Sequence, residues 1–410
     1  MDRIVMHIDV NNAFLSWTAI DLLNRGYKYD IRNSYAVIGG DERKRTGIVL
    51  AKSTAAKKMG VYTGETLFSA RKKCPALKSY PPNYQFYVEM SNKLFKLLSK
   101  YSPDIEVASV DECYLEYTGV KNLYGDEIEF AKKLQKEIFD TLGFTVNVGI
   151  ANNKLCAKMA SDFEKPNKIH TLYSYEVENK MHGLDVGELF GIGKMSAKKL
   201  YELGIKTIGD LANSDPYFLY KYFKNQAMVM INSAKGIDNS LVISESEELK
   251  GIGNEITLDH DVSSKQELEQ HLLYLADKVA RRLRGTNRYA FVVAVILKDK
   301  YFKRISRQRK LKNATNVTDE IYQIAKDVLD EFDELEPIRL IGLRLNNLVD
   351  KVEIQVSLFD DIKVHDNNEN LDKMVDKLKD KFGSNIVRKA SLINVDDKKR
   401  IEKGVNKKLL

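Results

Sequence analysis

The stretch 105–117 alternates apolar and polar residues on both sides of two adjacent carboxylates, Asp111 and Glu112. Alternation of this kind predicts a β-hairpin with the charged pair at its tip. Near the N-terminus, the largely apolar run Ile4–Asp9 predicts a buried strand that ends on a third carboxylate. Three acids are therefore expected at strand ends.

Helical periodicity predicts helices over about 83–100, 127–142 and 153–163, and a last strand over 145–150. Residues 10–82 are irregular in pattern, with a strand candidate at 35–38 and a helix candidate at 53–59. The order strand, helix, two strands, helix, strand is ferredoxin-like, so the first and third strands are expected to be antiparallel neighbours. Asp9 would then lie beside Asp111 and Glu112, although about a hundred residues separate them in the chain.

The middle of the chain, residues 189–205, predicts a helix-hairpin-helix. Gly191 and Gly193 allow a tight turn whose bare backbone N–H groups can approach phosphate, and Lys194 and Lys198 add positive charge. Such a motif grips the backbone of duplex DNA without reading its bases. An ordinary helical corner is the alternative interpretation.

A polar, acidic segment over 236–250 predicts a linker, after which the order strand, helix, two strands, helix, strand repeats. Strands are expected near 253–258, 289–297, 302–308 and 338–346, and helices near 265–283 and 318–332. The third strand carries Arg304, Arg307 and Arg309 in a stretch that is nearly free of acids. A sheet that presents these cations would bind a nucleic-acid backbone without sequence preference.

The C-terminal fifty residues contain one amphipathic pattern. An apolar stripe at helical spacing predicts a helix that stops near Gly383, with the members Leu371, Met374, Val375, Leu378 and Phe382. Two interpretations stay open: a small helix docked on the last domain, or a helix that binds a partner.

Composition narrows the class of protein. A chain of 410 residues with 43% hydrophobic residues is expected to form two to four soluble domains. Three scattered cysteines, six histidines without metal-ligand spacing and the absence of a signal-peptide pattern favour a reduced, cytoplasmic protein. No membrane partner is expected. The net charge of +7 permits a nucleic-acid partner without establishing one.

Three carboxylates that converge at a sheet end repel one another unless cations lie among them. Oxygen-only ligands suit Mg²⁺, and two such ions can stabilise the attacking and the leaving oxygen of phosphoryl transfer. The alternative is three unrelated surface acids.

Three blocks of sequence resemble the motifs of Y-family (DinB/UmuC-class) translesion DNA polymerases. They cover residues 8–14, residues 109–115 and residues 148–167, in the family's order and spacing. The resemblance implies that Asp9 and Asp111 bridge two Mg²⁺ ions, that the carbonyl of Val10 is a main-chain ligand, and that Glu112 completes the site at the primer 3′-hydroxyl.

The resemblance also implies a nucleotide-binding set. Phe14 falls on the steric gate that excludes a 2′-hydroxyl, next to Asn12 and Ala13, and Lys165 matches a lysine that reaches the triphosphate. Thr54 and Lys57 stand where many relatives have tyrosine and arginine. Lysine neutralises phosphate but lacks the bidentate fork of arginine.

By the same resemblance, the fold class is a multidomain α+β protein. The expected parts are a ferredoxin-like palm (1–20 and 77–171), inserted fingers (21–76), a helix-hairpin-helix thumb (172–235), the linker (236–250) and a little-finger domain with a second βαββαβ order (251–348). Residues 349–410 would hold a clamp-binding motif and a tail. The motif, Gln355-Val356-Ser357-Leu358-Phe359, matches the peptide with which bacterial proteins bind the sliding clamp, through Gln355, Leu358 and Phe359.

The leading hypothesis is therefore a monomeric, Mg²⁺-dependent, low-fidelity DNA polymerase that uses primer-template DNA and dNTPs and extends primers past damaged bases. A nucleotide cyclase also uses paired acids on a ferredoxin-like sheet, but it needs no helix-hairpin-helix and no clamp peptide. A non-catalytic DNA-binding accessory of the clamp would be expected to lack a catalytic acid, and all three are present.

Overall fold

A computed structural model describes residues 3–41, 45, 47–244, 248–333, 336–350, 362–383, 386–387 and 389. These residues separate into two compact units, and the division falls inside the segment 236–250. The first unit comprises the described residues up to 244, apart from 41 and 45, which belong with the second unit.

The first unit contains eight strands and twelve α-helices among its described residues. The strands are β1 (Val5–Val10), β2 (Ala36–Gly39), β3 (Val49–Lys52), β4 (Lys78–Tyr80), β5 (Ile105–Val107), β6 (Glu112–Glu116), β7 (Val146–Ala151) and β8 (Ile169–Leu172). The helices are α1 (Ala13–Asn24), α2 (Thr54–Lys58), α3 (Leu67–Lys73), α4 (Tyr84–Leu98), α5 (Lys121–Tyr124), α6 (Glu127–Leu142), α7 (Lys154–Asp162), α8 (Val177–Lys180), α9 (Lys194–Glu202), α10 (Ile208–Ala212), α11 (Pro216–Phe223) and α12 (Gln226–Ala234).

A five-stranded sheet in the order β5-β6-β1-β7-β8 forms the centre of this unit. Strand β1 pairs antiparallel with β6 on one side and with β7 on the other. The part β5-β6-β1-β7 has the ferredoxin-like strand order predicted from the sequence. Strand β8 extends the sheet in parallel with β7. Strands β5 and β6 form the predicted hairpin, with Asp111 in its turn and Glu112 as the first residue of β6.

Different helices cover the two faces of this sheet. Successive side chains of β1 point to opposite faces and therefore enter different cores. Met6, Ile8 and Val10 enter a core with residues of α4 and α6. Val5 enters a second core with α7 and α8 to α12. The helical segment 172–235 therefore shares one hydrophobic core with the sheet.

Helix α7 approaches the sheet closely at Gly149 of β7. A Cβ atom on this residue would lie 2.0 Å from the carbonyl oxygen of Ala157 and 2.5 Å from the amide nitrogen of Ser161. Real Cβ atoms do not approach backbone atoms this closely. The backbone of α7 thus rests directly on β7, and only glycine is compatible with this packing.

Helix α1 lies within residues 10–82, for which the sequence pattern predicts a largely irregular structure. That prediction is wrong at this helix. Its side chains are buried on two sides: Trp17 contributes to the core beneath the central sheet, and Leu15 and Ala19 contribute to a separate core with β2 and β3. A helix that is buried on both sides has no polar face, so it lacks the amphipathic period by which a helix is predicted. Strands β2, β3 and β4 form a small sheet in the order β3-β2-β4.

The described residues of the second unit form one four-stranded antiparallel sheet and three helices. The elements are β9 (Gly251–Val262), α13 (Lys265–Arg284), β10 (Tyr289–Asp299), β11 (Arg304–Thr315), α14 (Thr318–Asp330), β12 (Ile338–Val349) and α15 (Ile362–Phe382). The predicted element order is present, but the strand order is β11-β10-β12-β9, with the first strand at an edge. This sheet and the five-stranded sheet of the first unit therefore share an element order and differ in topology.

Helix α15 packs on α13 through its charged side chains. Arg284 of α13, whose side chain is 4% exposed, pairs with Asp372 at 3.0 Å and Asp376 at 2.7 Å. Lys379 reaches Asp277 of α13 at 2.8 Å. The apolar stripe predicted from the sequence faces away from this contact, since Leu371, Met374, Leu378 and Phe382 are 44–60% exposed. The helix thus docks on α13 with its acidic face inward, and docking is one of the two interpretations that the sequence left open.

Among the residues that the structure describes, no helix combines the length and the apolar character needed to cross a membrane.

The docking of α15 predicts that Arg284→Ala loosens this helix. Loss of one partner of a buried ion pair costs about 3 kcal/mol or more, which corresponds to roughly a hundredfold faster opening. Hydrogen-exchange mass spectrometry of the full chain should therefore find faster amide exchange over residues 367–383. Arg282→Ala is the matched control, because Arg282 lies on the same helix and donates only to the carbonyl of Gly253 among the described residues. Equal exchange in the two variants would contradict this account of the docking.

Candidate active site

Three carboxylates meet where β1 ends and β6 begins. Asp9 is the direct antiparallel partner of Glu112 in the β1–β6 register. The amide of Val10 donates a 3.0 Å hydrogen bond to the carbonyl oxygen of Asp111. The sheet thus brings together the three acids that the sequence analysis selected, together with the backbone of Val10.

Ionisation is disfavoured at two of the three acids, Asp9 and Asp111. Burial raises the pKa of Asp9, and nearby lysines only partly offset this effect. Burial also raises the pKa of Asp111, and the charges of Asp9 and Glu112 raise it further, although the Ser109 hydroxyl donates a 2.6 Å hydrogen bond to its carboxylate. A cation among these groups would relieve the repulsion.

Two lysines lie against the acids. The ammonium nitrogen of Lys158, on α7, is 3.0 Å from Glu112 Oε1, 3.4 Å from Asp9 Oδ2 and 3.3 Å from Asp162. Lys165 Nζ is 2.9 Å from Asp9 Oδ2 and 2.8 Å from Asp162. Burial alone would lower the pKa of each lysine, but the carboxylates outweigh it and raise both pKa values.

His7 lies beside Glu112 on the same face of β1 as Asp9. Its Nδ1 atom is 2.8 Å from the Ser161 hydroxyl, and its Nε2 atom is 3.6 Å from Glu112 Oε2. Burial lowers the pKa of His7. Burial opposes ionisation of Glu112, but His7 and Lys158 outweigh it and lower the pKa of Glu112 to about 2.

A network of amide side chains holds the loop that carries Lys165. Asn11 Nδ2 donates to Asn147 Oδ1 at 3.0 Å, and the amide of Asn167 donates to Asn11 Oδ1 at 2.8 Å. Asn147 Nδ2 donates to the carbonyl oxygens of Ser161 and Glu164. The position of Lys165 is therefore set by Asn11, which follows β1, together with Asn147 of β7.

Phe14 lies in the first turn of α1, packed among aromatic side chains. Its ring is stacked on Tyr87 at a centroid distance of 4.7 Å and an interplanar angle of 11°. The Tyr87 hydroxyl is 2.6 Å from the Thr18 hydroxyl, which donates to the carbonyl oxygen of Phe14 at 2.7 Å. Asn12, in a left-handed conformation (φ 51°), donates to the carbonyl of Lys52 in β3, and Ala13 is buried.

Thr54 and Lys57 are exposed residues of α2, three positions apart on the same side of the helix. Lys52 of the adjoining strand has a lowered pKa, because it is partly buried and because Lys57 repels its charge. Two lysines therefore concentrate positive charge beside the β1–α1 connection.

The predicted helix-hairpin-helix lies at the start of α9. Gly191 has a φ of +93°, and Gly193 precedes the helix without a side-chain cap. Lys194 and Lys198 are exposed in the first two turns of the helix. The first amides of α9 thus end beside two cations, which is an arrangement that favours anions.

The three predicted arginines of β11 lie on two different faces of the second unit's sheet. Arg309 pairs with Asp327 at 2.8 Å and Glu331 at 2.7 Å, next to α14, and Arg307 stacks on Phe332. Both therefore lie on the helix-covered face. Arg304 lies on the other face and pairs with Glu255 of β9. Strand register puts exposed Lys310 and Arg344 on this face as well, and Arg344 was not selected from the sequence.

Gln355, Leu358 and Phe359, the proposed clamp-binding residues, lie outside the described residues. In the described part of the chain, no group of three or more His, Cys, Asp or Glu side chains is arranged closely enough to hold a metal ion. Lysine ammonium groups lie against Asp9 and Glu112 instead. Lys158 and His7 were not assigned roles from the sequence, although Lys158 falls within the block 148–167.

Comparison with known proteins identifies relatives along nearly the whole chain. The model of the impB/mucB/samB family matches residues 8–162, and the model of that family's C-terminal domain matches residues 249–358. DNA polymerase IV of Clostridium acetobutylicum is 43% identical over 97% of this chain and 100% of its own length. DNA polymerase IV 1 of Bacillus subtilis is 32% identical over 99% of this chain and 97% of its own length.

Solved structures agree with this result. A Y-family DNA polymerase chimera of Dbh and Dpo4 superposes with a TM-score of 0.74 at 27% identity, over 85% of this chain and 100% of its own. An insertion ternary complex of Dbh DNA polymerase gives a TM-score of 0.56 at 28% identity, over 85% of this chain and 100% of its own. On these matches, the chain belongs to the impB/mucB/samB family and is a DinB-type member of the Y-family DNA polymerases.

Proposed function

We propose that Asp9, Asp111 and Glu112 hold two Mg²⁺ ions with which this Y-family DNA polymerase copies DNA past damaged bases. The observation that carries the proposal is the β1–β6 register, which sets Asp9 opposite Glu112 and bonds Val10 to Asp111. The donor set fits a hard cation, because it consists of carboxylates whose mutual repulsion a divalent ion relieves. When bound, the ions would activate the primer 3′-oxygen for attack on the α-phosphate and stabilise the leaving pyrophosphate.

The residues would divide the binding of the ions among them. Asp9 and Asp111 would serve as ligands for both ions, and the Val10 carbonyl would add a main-chain ligand. Glu112 would complete the site nearest the primer. Its low pKa keeps it ionised, which is the state that a ligand requires.

The incoming dNTP would lie between the acids and α2. Lys165, fixed by the Asn11–Asn147 network, would neutralise the triphosphate, and Thr54 and Lys57 would contact it from α2. Phe14 would lie beneath the sugar and exclude a 2′-hydroxyl, with the backbone of Asn12 and Ala13 alongside. The stack of Phe14 on Tyr87 supports this role, because a gate must resist displacement.

Two surfaces are proposed to bind the backbone of primer-template DNA. One is the start of α9, with Gly191, Gly193, Lys194 and Lys198, in a thumb over 172–235. The other is the sheet of a little-finger domain over 251–348, for which the sequence selected Arg304, Arg307 and Arg309. The face that carries Arg304, Lys310 and Arg344 is the better candidate for DNA binding, since Arg309 is paired with acids at α14.

Duplex affinity of Lys194→Gln and Lys310→Gln variants, measured by fluorescence anisotropy, tests the two surfaces.

Residues 1–20 with 77–171 would act as the palm and 21–76 as the fingers, in a cytoplasmic monomer. The three cysteines Cys74, Cys113 and Cys156 are free and buried, as suits a reducing compartment. Family membership favours this polymerase over the nucleotide cyclase that the sequence also allowed.

Asp111→Asn should abolish DNA synthesis and leave DNA binding intact. Loss of a ligand that both ions share is expected to remove several kcal/mol of transition-state stabilisation, or about 10³-fold in rate. Single-turnover primer extension with Mg²⁺, on undamaged and abasic templates, measures the effect. Asp140→Asn, an exposed acid on α6, is the control for the loss of one charge. Extension by Asp111→Asn at the wild-type rate would refute the ligand assignment.

Phe14→Ala should reduce the preference for deoxynucleotides over ribonucleotides by about 100-fold, because steric exclusion of the 2′-hydroxyl is lost. The measurement is the ratio of kcat/KM for dCTP and for CTP opposite template guanine. A general loss of activity cancels in this ratio. Phe14→Leu, which keeps more of the packing on Tyr87, should have an intermediate ratio. A ratio unchanged in both variants would remove Phe14 from the gate.

Leu358→Ala/Phe359→Ala should weaken binding to the bacterial sliding clamp by about 100-fold, because two apolar anchors of the peptide are lost. Surface plasmon resonance with immobilised clamp measures the affinity, and extension without clamp should not change. Leu371→Ala/Met374→Ala is the control, since these residues are exposed on α15. If only the control pair weakens binding, the clamp contact lies on α15 and the peptide assignment is wrong.

A further inference from the structure

Lys158 touches acids from both strands of the proposed metal site. It bridges Glu112 of β6 at 3.0 Å and Asp9 of β1 at 3.4 Å. The third acid, Asp111, accepts a hydrogen bond from the Ser109 hydroxyl instead. The ammonium group thus lies against carboxylate oxygens that the proposed function assigns to Mg²⁺.

The burial of Lys158 indicates that this contact is built into the fold. The residue is 7% exposed and lies in the middle of α7, whose backbone rests on Gly149. A buried ammonium is tolerated when carboxylates surround it, and removing it leaves those carboxylates unpaired. Lys165 differs, since its side chain is 36% exposed and it lies in a loop beyond α7.

Asp162 gives Lys158 a second partner outside the proposed metal site. It lies one turn further along α7, at 3.3 Å from the same ammonium nitrogen, and its side chain is 45% exposed. Lys158 can therefore release Asp9 and Glu112 and remain paired. This arrangement suits a cation that yields the two carboxylates to another cation.

We propose that Lys158 is a resident counter-cation that holds Asp9 and Glu112 in competition with Mg²⁺ and thereby sets how tightly the site binds the metal. The proposal rests on the proposed function, since it presupposes that these acids are the metal ligands. It makes Lys158 a positioning residue: it keeps two repelling carboxylates at their strand ends and lowers the affinity for the divalent ion.

The test is a titration of the full chain with Mn²⁺, without DNA or nucleotide, in which electron paramagnetic resonance counts the free ion. Lys158→Met removes the competing charge and should bind Mn²⁺ at least about tenfold more tightly than wild type. Lys158→Gln, which is neutral but keeps a hydrogen-bond donor for Glu112, should behave similarly and serves if the methionine variant does not fold. Lys158→Arg keeps the charge and should retain the wild-type affinity within about threefold.

Lys154→Met is the matched control, because Lys154 lies one turn earlier on α7 and pairs with Glu106 of β5 instead. Its Mn²⁺ affinity should equal that of wild type. The neutral Lys158 variants should also melt at a lower temperature without metal and gain more from Mg²⁺ than wild type does.

The possible results distinguish the counter-cation role of Lys158 from the metal site itself. Tighter binding in both neutral variants, lost when Asp111→Asn is added, supports the counter-cation. Equal or weaker binding in folded Lys158→Met, with wild-type binding still dependent on Asp111, overturns the counter-cation and leaves the metal site in place: Lys158 then only ties α7 to the sheet. Wild-type Mn²⁺ binding that is independent of Asp111 overturns both the metal site and the counter-cation.

Discussion

The antiparallel pairing of β1 with β6 is the constraint on which the candidate active site depends. Asp9 and Glu112 face each other because β1 pairs with β6 in this register. Carboxylates at this spacing repel, and the fold counters the repulsion with Lys158 and Lys165, which both come from the segment after β7. Strand order, helix position and charge balance therefore form one system.

The five-stranded sheet of the first unit and the four-stranded sheet of the second use one element order for different purposes. In the first, the opening strand is central, so its terminal acid meets acids from another part of the chain. In the second, the opening strand β9 lies at the edge, and the sheet instead aligns long strands with exposed basic side chains on the face away from the helices. Topology thus decides whether charged residues converge on one point or spread over a surface.

The sequence was sufficient to predict the convergence of Asp9, Asp111 and Glu112, because element order implies strand order in a ferredoxin-like unit. It was not sufficient for features that depend on tertiary contacts. Helix α1 lacks an amphipathic period because both of its sides are buried. Alternation along β11 separates Arg304 from Arg307 and Arg309, but which of the two faces α14 covers depends on tertiary packing. The apolar stripe of α15 was correctly located, but pattern alone does not reveal that Arg284 would draw the opposite, acidic face inward.

Gly149 connects the packing of the sheet with the chemistry of the acids. Its missing side chain lets α7 rest on β7 beside His7, its partner in the β1–β7 register. A methyl group there would push the helix axis outward and carry the Lys158 ammonium away from Asp9 and Glu112. A residue that has no side chain, and can touch neither metal nor nucleotide, therefore governs the electrostatic balance of the acids. In an evolving lineage, a substitution at this position would act as an active-site mutation.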